Sequence, residues 1–220
     1  MANPVIVVLG AGPGIGYAVA RRFGRAGYDV ALVARSEQRL EQLGLELETE
    51  GVTAGWSVAD VKDTEALTSA LRRVGEHSGS IDHLHFNPSS FTGKDALTLT
   101  ANELLSDLHL GVASLLTAVQ AAKPFMPPGA RITATGGATA DHPWAATASL
   151  GVQKAGLRNL VNALDATLAG DGIRALSLTV AGTVEVGTAF DPGLIADALF
   201  ESSQAEDEFW QSEVRYTGRD

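Results

Sequence analysis

The chain has 220 residues, enough for one domain with a substantial core, and its 45% hydrophobic and 19% charged content is that of an ordinary globular protein. Sixteen basic against 26 acidic residues leave a net charge of −10, with acid concentrated at Glu201, Glu206, Asp207, Glu208 and Glu213. Such a surface repels phosphate backbones and anionic lipid, so neither nucleic acid nor a membrane is an expected partner.

Cysteine is absent, which excludes disulfides, thiolate catalysis and Cys-ligated zinc. The opening MANPVIVVLG has neither a basic leader nor a small-residue cleavage site, and no stretch reads as the roughly 20 apolar residues of a membrane span. A cytoplasmic location is the expectation.

Val5 to Leu9 is a continuous β-branched run ending at glycines, as for a strand buried on both faces. Ile15, Val19 and Phe23 follow at a spacing of four, a helix that closes near Gly24 and Gly27. Asp29 to Ala34 reads as a second strand, and Ser36 as the N-cap of the next helix. The alternation continues with a strand at Thr53 to Val58, a helix at Asp63 to His77 and a strand at Ile81 to Phe86. A long helix over Asn102 to Ala122, a strand at Ala130 to Thr135 and a second long helix over Ala145 to Leu168 come next. Ile173 to Val180, Pro192 to Ser202 and Glu213 to Tyr216 complete the order as strand, helix and edge strand. Unbroken alternation predicts one α/β domain over residues 1–220: a doubly wound parallel sheet of about six to seven strands with helices on both faces.

Between the first strand and the first helix lies Gly10-Ala11-Gly12-Pro13-Gly14-Ile15-Gly16. Four glycines in seven residues permit a tight turn and let backbone amides approach a pyrophosphate at the helix N-terminus. The spacing G-x-x-x-G-x-G at 10, 14 and 16 resembles the loop of the short-chain dehydrogenase/reductase family, with Leu9 in place of the usual threonine. Ala59-Asp60-Val61 is similar to that family's adenine-contacting element. The stretch from Ile81 to Ser89 resembles the segment whose asparagine, here Asn87, sits by the cofactor, and Val180 to Val184 resembles the segment after the sixth strand.

The resemblance implies a Rossmann-type fold and a nicotinamide cofactor held by Gly10, Gly12, Pro13, Gly14, Ile15, Gly16, Asp60, Val61, Asn87 and Val184. An NAD site places an acid about 20 residues past the glycines. Here Arg35 and Ser36 stand there, and a guanidinium suits a 2′-phosphate, so NADP(H) is expected over NAD(H).

The same resemblance exposes a gap. Aligning Lys154 with the family lysine, which holds the nicotinamide ribose, puts Leu150 at the proton-passing tyrosine, Gly137 at the serine and His109 at the asparagine. The ordinary proton path is missing, so Lys154, His142 and His109 are the candidate catalytic groups, the histidines because imidazole titrates near neutrality. His83 and His85 share a strand face, but with no third ligand they are not expected to bind metal.

Phe86, Phe190, Leu194 and Phe200 are read as lining an apolar pocket for a small apolar substrate. Pairing through the two long helices, as the resemblance implies, would give a homodimer or homotetramer. Two functions follow: an oxidoreductase with an altered proton-transfer site, or a catalytically silent NADPH-binding sensor or regulatory subunit.

Overall fold

A computed structural model describes residues 2–218. Its seven strands are β1 (Val5–Leu9), β2 (Asp29–Ala34), β3 (Ala54–Val58), β4 (His83–Phe86), β5 (Arg131–Gly137), β6 (Arg174–Val180) and β7 (Glu213–Tyr216). They form one parallel sheet in the order β3-β2-β1-β4-β5-β6-β7. The order reverses between β1 and β4, where a crevice opens beyond the strand C-termini.

The helices are α1 (Ile15–Gly24), α2 (Glu37–Thr49), α3 (Thr64–Ser78), α4 (Ala101–Leu108), α5 (Ser114–Ala122), α6 (Ala148–Leu168) and α7 (Pro192–Ser203). Several of their starts carry side-chain caps, of which Ser36 was the one expected. The Asp63 carboxylate accepts from Glu65 N and Ala66 N, and Thr100 and Glu103 form a reciprocal capping box. Ser36 caps α2 from the loop beside the cleft, accepting from Arg39 N.

Two apolar layers hold the sheet. On one face Val7, Leu84, Phe86 and Ile132 meet Leu67, Leu115, Leu157 and Val161 from α3, α5 and α6. On the other, Ile6, Val8, Leu32 and Leu178 meet Val19, Phe23, Leu40 and Leu199 from α1, α2 and α7. Strand β1 is buried along its whole length, which is why it carries no alternating polar positions.

The long helix expected over Asn102 to Ala122 is interrupted by a π turn at His109–Ala113. Gly111 lies within this turn, and a Cβ there would collide with the Gln153 side chain, so the close approach of α6 suits glycine. The stretch Ala101–Phe125 is also long and apolar enough, by length and composition, to cross a membrane, with a mean hydropathy of 1.3 in its most apolar window. That corrects the expectation that no stretch approaches such a span. Leu115, Ala118, Val119 and Ala122 are nevertheless buried against the sheet. The second long helix begins at Ala148 rather than Ala145, because Ala145–Thr147 is a separate 3-10 turn.

The expected apolar pocket does not form from the residues assigned to it. Phe86 is fully buried in the layer under α3 and α5, whereas Phe200 stacks on Phe23 and Phe190 on Tyr216 in the opposite half of the molecule. Phe86 points into one layer from β4, while Phe190, after β6, and Phe200, on α7, pack partly buried against the other.

Candidate active site

Gly10, Arg35, Asp60 and Asn87 each follow the C-terminal end of a neighbouring strand, β1, β2, β3 and β4, so the sheet brings them to one edge. They line a cleft of about 420 Å³ together with Gly12, Ser36, Arg39, Val61, Pro88, Ser89, Ser90 and Leu110. Pro13, Gly14, Ile15, Gly16, Lys154 and Val184 lie outside that lining, and Val184 sits on the exposed segment after β6. A larger cavity of about 850 Å³ opens beside β3 and α3, lined by residues such as Asp29, Gly55 and Arg73 rather than by any candidate site residue.

The glycine loop is built to expose backbone. Gly10 has φ of +76°, and a Cβ there would lie 2.9 Å from Pro88 N, so both conformation and space demand glycine. At Gly16 a Cβ would lie 2.7 Å from Gly10 O, which lets α1 start tight against the turn. Gly14 N, Ile15 N and Gly16 N have no hydrogen-bond partner among the described residues, as expected at an uncapped helix start. Unmet amides at the positive end of a helix dipole are the kind of group that can hold an anion such as a pyrophosphate.

Where the chain leaves β2 and enters α2, Arg35 and Arg39 line the cleft and are exposed, and neither guanidinium makes a hydrogen bond or ion pair among the described residues. Ser36 lies between them at the N-cap of α2. Two unpaired guanidinia flanking a helix N-terminus favour a phosphate over a bare ribose. Arg39 was not among the residues picked from sequence. Its spacing of four from Arg35, across a capped helix start, was the available signal.

The loop after β4 forms the cleft wall, and α6 ties it down. Gln153, wholly buried, donates through Nε2 to Ser90 O at 2.9 Å and to Asp107 O at 2.7 Å, and accepts from Ser89 Oγ at 2.9 Å. The carbonyl of Asp107 lies just before the widened π turn, where the helix leaves it for Gln153 to meet. Thr92 N donates to the buried Asp107 carboxylate at 2.8 Å. Sequence gave no clear sign of Gln153 beyond its place next to Lys154.

Lys154 is buried, and its Nζ donates to Thr135 O at 2.9 Å. With no carboxylate paired to it among the described residues, burial lowers its pKa to about 8. Gly137, at the end of β5, leaves the flank of this lysine uncovered: an added Cβ would rest 3.6 Å from Lys154 Cγ, in ordinary contact. Leu150, one turn earlier on α6, is half-buried and supplies no polar atom. The two candidate histidines lie elsewhere in character. His109 is exposed at the first position of the π turn, and His142 is exposed after β5, and neither side chain has a partner among the described residues. His83 and His85 are buried and bonded to Thr133.

The family model for short chain dehydrogenases matches residues 4–190. The chain belongs to the short-chain dehydrogenase family. An uncharacterized oxidoreductase of Staphylococcus epidermidis is 25% identical over 177 residues, 80% of this chain and 76% of that protein. Among solved structures, a dehydrogenase/reductase from Sinorhizobium meliloti superposes with a TM-score of 0.89 at 22% identity, covering 98% of this chain and 94% of the other. A metagenomic short-chain oxidoreductase in complex with NADP superposes with a TM-score of 0.85 at 26% identity, covering 98% of each chain. The matched stretch spans between 30% and 76% of the length of the curated relatives. Membership makes the chain an oxidoreductase by family, of the class that binds NAD(P).

Proposed function

We propose that this protein is an NADP(H)-dependent oxidoreductase in which Lys154 takes over the proton transfer that the family assigns to a tyrosine. The observation that carries the cofactor assignment is the pair of unpaired guanidinia, Arg35 and Arg39, on the cleft wall between the end of β2 and the first turn of α2. A relative of similar architecture with NADP bound supports it.

Bound NADPH would supply a hydride. Gly10, Gly12 and the amides of Gly14, Ile15 and Gly16 would hold the pyrophosphate, Asp60 and Val61 the adenine, and Arg35, Ser36 and Arg39 the 2′-phosphate. The chain's own part in the chemistry is to orient and protonate. Of the three candidates, Lys154 alone combines burial with a shifted pKa, and an acid titrating near 8 is well matched to work at neutral pH. His109 and His142 are both exposed.

Leu150 and Gly137 offer the substrate no side-chain donor, so the site selects a small, apolar molecule held mainly against the nicotinamide. The exposed Leu97, Leu105, Leu116 and Val152 on and around α4, α5 and α6 support assembly as a homodimer or homotetramer through those helices. Light scattering tests that assembly.

The function is tested by screening small aldehydes, ketones and conjugated alkenes with NADPH, and repeating any active reaction with Lys154→Met. Turnover that falls at least about a hundredfold in the variant, with NADPH still bound, supports the assignment. Undiminished turnover moves the proton source elsewhere.

A further inference from the structure

The interior of the sheet carries a line of polar groups that the cofactor site does not explain. His83 and His85 on β4 and Thr133 on β5 are essentially unexposed, and Thr135 nearly so. His83 Nε2 lies 2.9 Å from Thr133 Oγ1, which lies 2.8 Å from His85 Nδ1. His85 Nε2 is 3.4 Å from Thr135 Oγ1, the longest link, and Thr135 Oγ1 donates to Asn87 Oδ1 at 2.8 Å. Asn87 Nδ2 then donates to Gly10 O at 3.2 Å, at the root of the nucleotide loop.

The direction of every link follows from its last one. Gly10 O can only accept, so the Asn87 amide nitrogen must face it and the amide oxygen must face Thr135. Thr135 therefore donates to Asn87 and has only lone pairs left for His85, which makes His85 the Nε2–H tautomer. Its bare Nδ1 takes the Thr133 hydroxyl proton, and Thr133 in turn accepts from Nε2–H of His83. This leaves His83 Nδ1 as an unprotonated acceptor, and that atom has no hydrogen-bond partner among the described residues. The scheme requires both rings to be neutral. Burial holds them so, lowering His85 to about 3 and His83 well below its ordinary value. At the far end the Phe23 ring of α1 lies 4.4 Å from the His83 ring, so the line also meets the helix whose N-terminus faces the cleft.

We infer that His83, Thr133, His85 and Thr135 form a one-directional hydrogen-bond relay that fixes the Asn87 carboxamide, and through it Gly10 O, in the arrangement that receives the nucleotide. Thr133 and His85 are thus positioning residues, remote from any ligand. The inference rests on the nucleotide reading of the cleft. The alternative for buried histidines, simple satisfaction in the core, would tie their loss to stability and not to ligand affinity.

Two measurements test it. Long-range 15N–1H correlation spectra of the wild-type protein should show His83 and His85 both as Nε2–H tautomers, and an Nδ1–H signature for His85 overturns the relay without recourse to any variant. Calorimetric titration with NADPH is then run on wild type, Thr133→Val and Thr133→Ser. Thr133→Val keeps the shape but removes the central hydroxyl. It should weaken NADPH roughly fivefold to tenfold, the effect of one buried hydrogen bond, and Thr133→Ser should recover most of that loss. A Thr133→Val protein that melts earlier yet binds NADPH as wild type does overturns the positioning role. Absence of NADPH binding by wild type overturns the cofactor reading and the relay's role with it, while the tautomer spectra still report whether the relay exists.

Discussion

Lys154 Nζ and Thr135 O meet at 2.9 Å in a buried contact that gives the ammonium one carbonyl and, among the described residues, no counter-charge. Folding therefore favours the neutral amine, and the folded pKa of about 8 lies below the ordinary 10.5. Between those two values the unfolded chain holds more protons than the folded one, so stability rises with pH across that window and the penalty is fully present below about 8. Lys154→Met should raise the melting temperature at pH 7, by an amount equivalent to at most about 3 kcal/mol, with the gain shrinking above pH 8. Melting curves at pH 7 and pH 10 check this, and a variant that melts lower at pH 7 contradicts it.

The same group sets a pH dependence of turnover. As the proton donor in reduction, Lys154 must be protonated, so kcat/KM for NADPH-driven reduction should fall as pH rises through about 8 in the free enzyme. A profile that does not fall through about 8 would move the proton donor away from Lys154.

Arg35→Ala and Arg39→Ala should each weaken NADPH by roughly tenfold or more, as expected for loss of a charge-assisted phosphate contact, and leave NADH nearly unchanged. Competition of the two nucleotides in a fluorescence titration separates the outcomes. Equal losses for both would remove the 2′-phosphate from this wall of the cleft.

Leu150→Tyr combined with Gly137→Ser should create carbonyl reductase activity. Gly137 has an extended backbone that any residue adopts, and an added Cβ makes only ordinary contact with Lys154, so serine fits. A rise of about a hundredfold over wild type on a simple ketone is expected, with reduction followed by loss of NADPH absorbance. A double variant that binds NADPH and reduces nothing would mean that these positions do not face the reacting atoms.

Gln153→Leu should loosen the cleft wall. It deletes bonds to Ser90 O, Asp107 O and Ser89 Oγ and leaves the buried Asp107 carbonyl without its Gln153 partner, so a loss of about 1–3 kcal/mol in stability is expected. Urea denaturation measures it.

Much of the fold was legible because it rests on local pattern. The buried run of β1, the spacing of Ile15, Val19 and Phe23, and the cap at Ser36 each carry their own signal, and their order dictates a parallel doubly wound sheet. The glycine loop and Arg35 were readable for the same reason. What sequence missed depends on contacts between distant segments. The π turn at His109–Ala113 packs Gly111 against Gln153, 42 residues away in sequence, and the pairing of Gln153 with the loop after β4 spans 63 residues. Likewise Phe86 and Phe200 were grouped as pocket residues by composition, although the strand period and the helix placement put them on opposite faces of the sheet. The histidine pair on β4 was visible as an alternation, but its partners lie on β5 and only the sheet register reveals them.

The most direct test of the central claim is calorimetric titration of the wild-type protein with NADPH and with NADH under identical salt and pH. Micromolar binding of NADPH, with NADH weaker by roughly tenfold or more, is the result predicted from the glycine loop and the paired guanidinia. Equal affinity for the two nucleotides, or no binding of either at millimolar concentration, would contradict it.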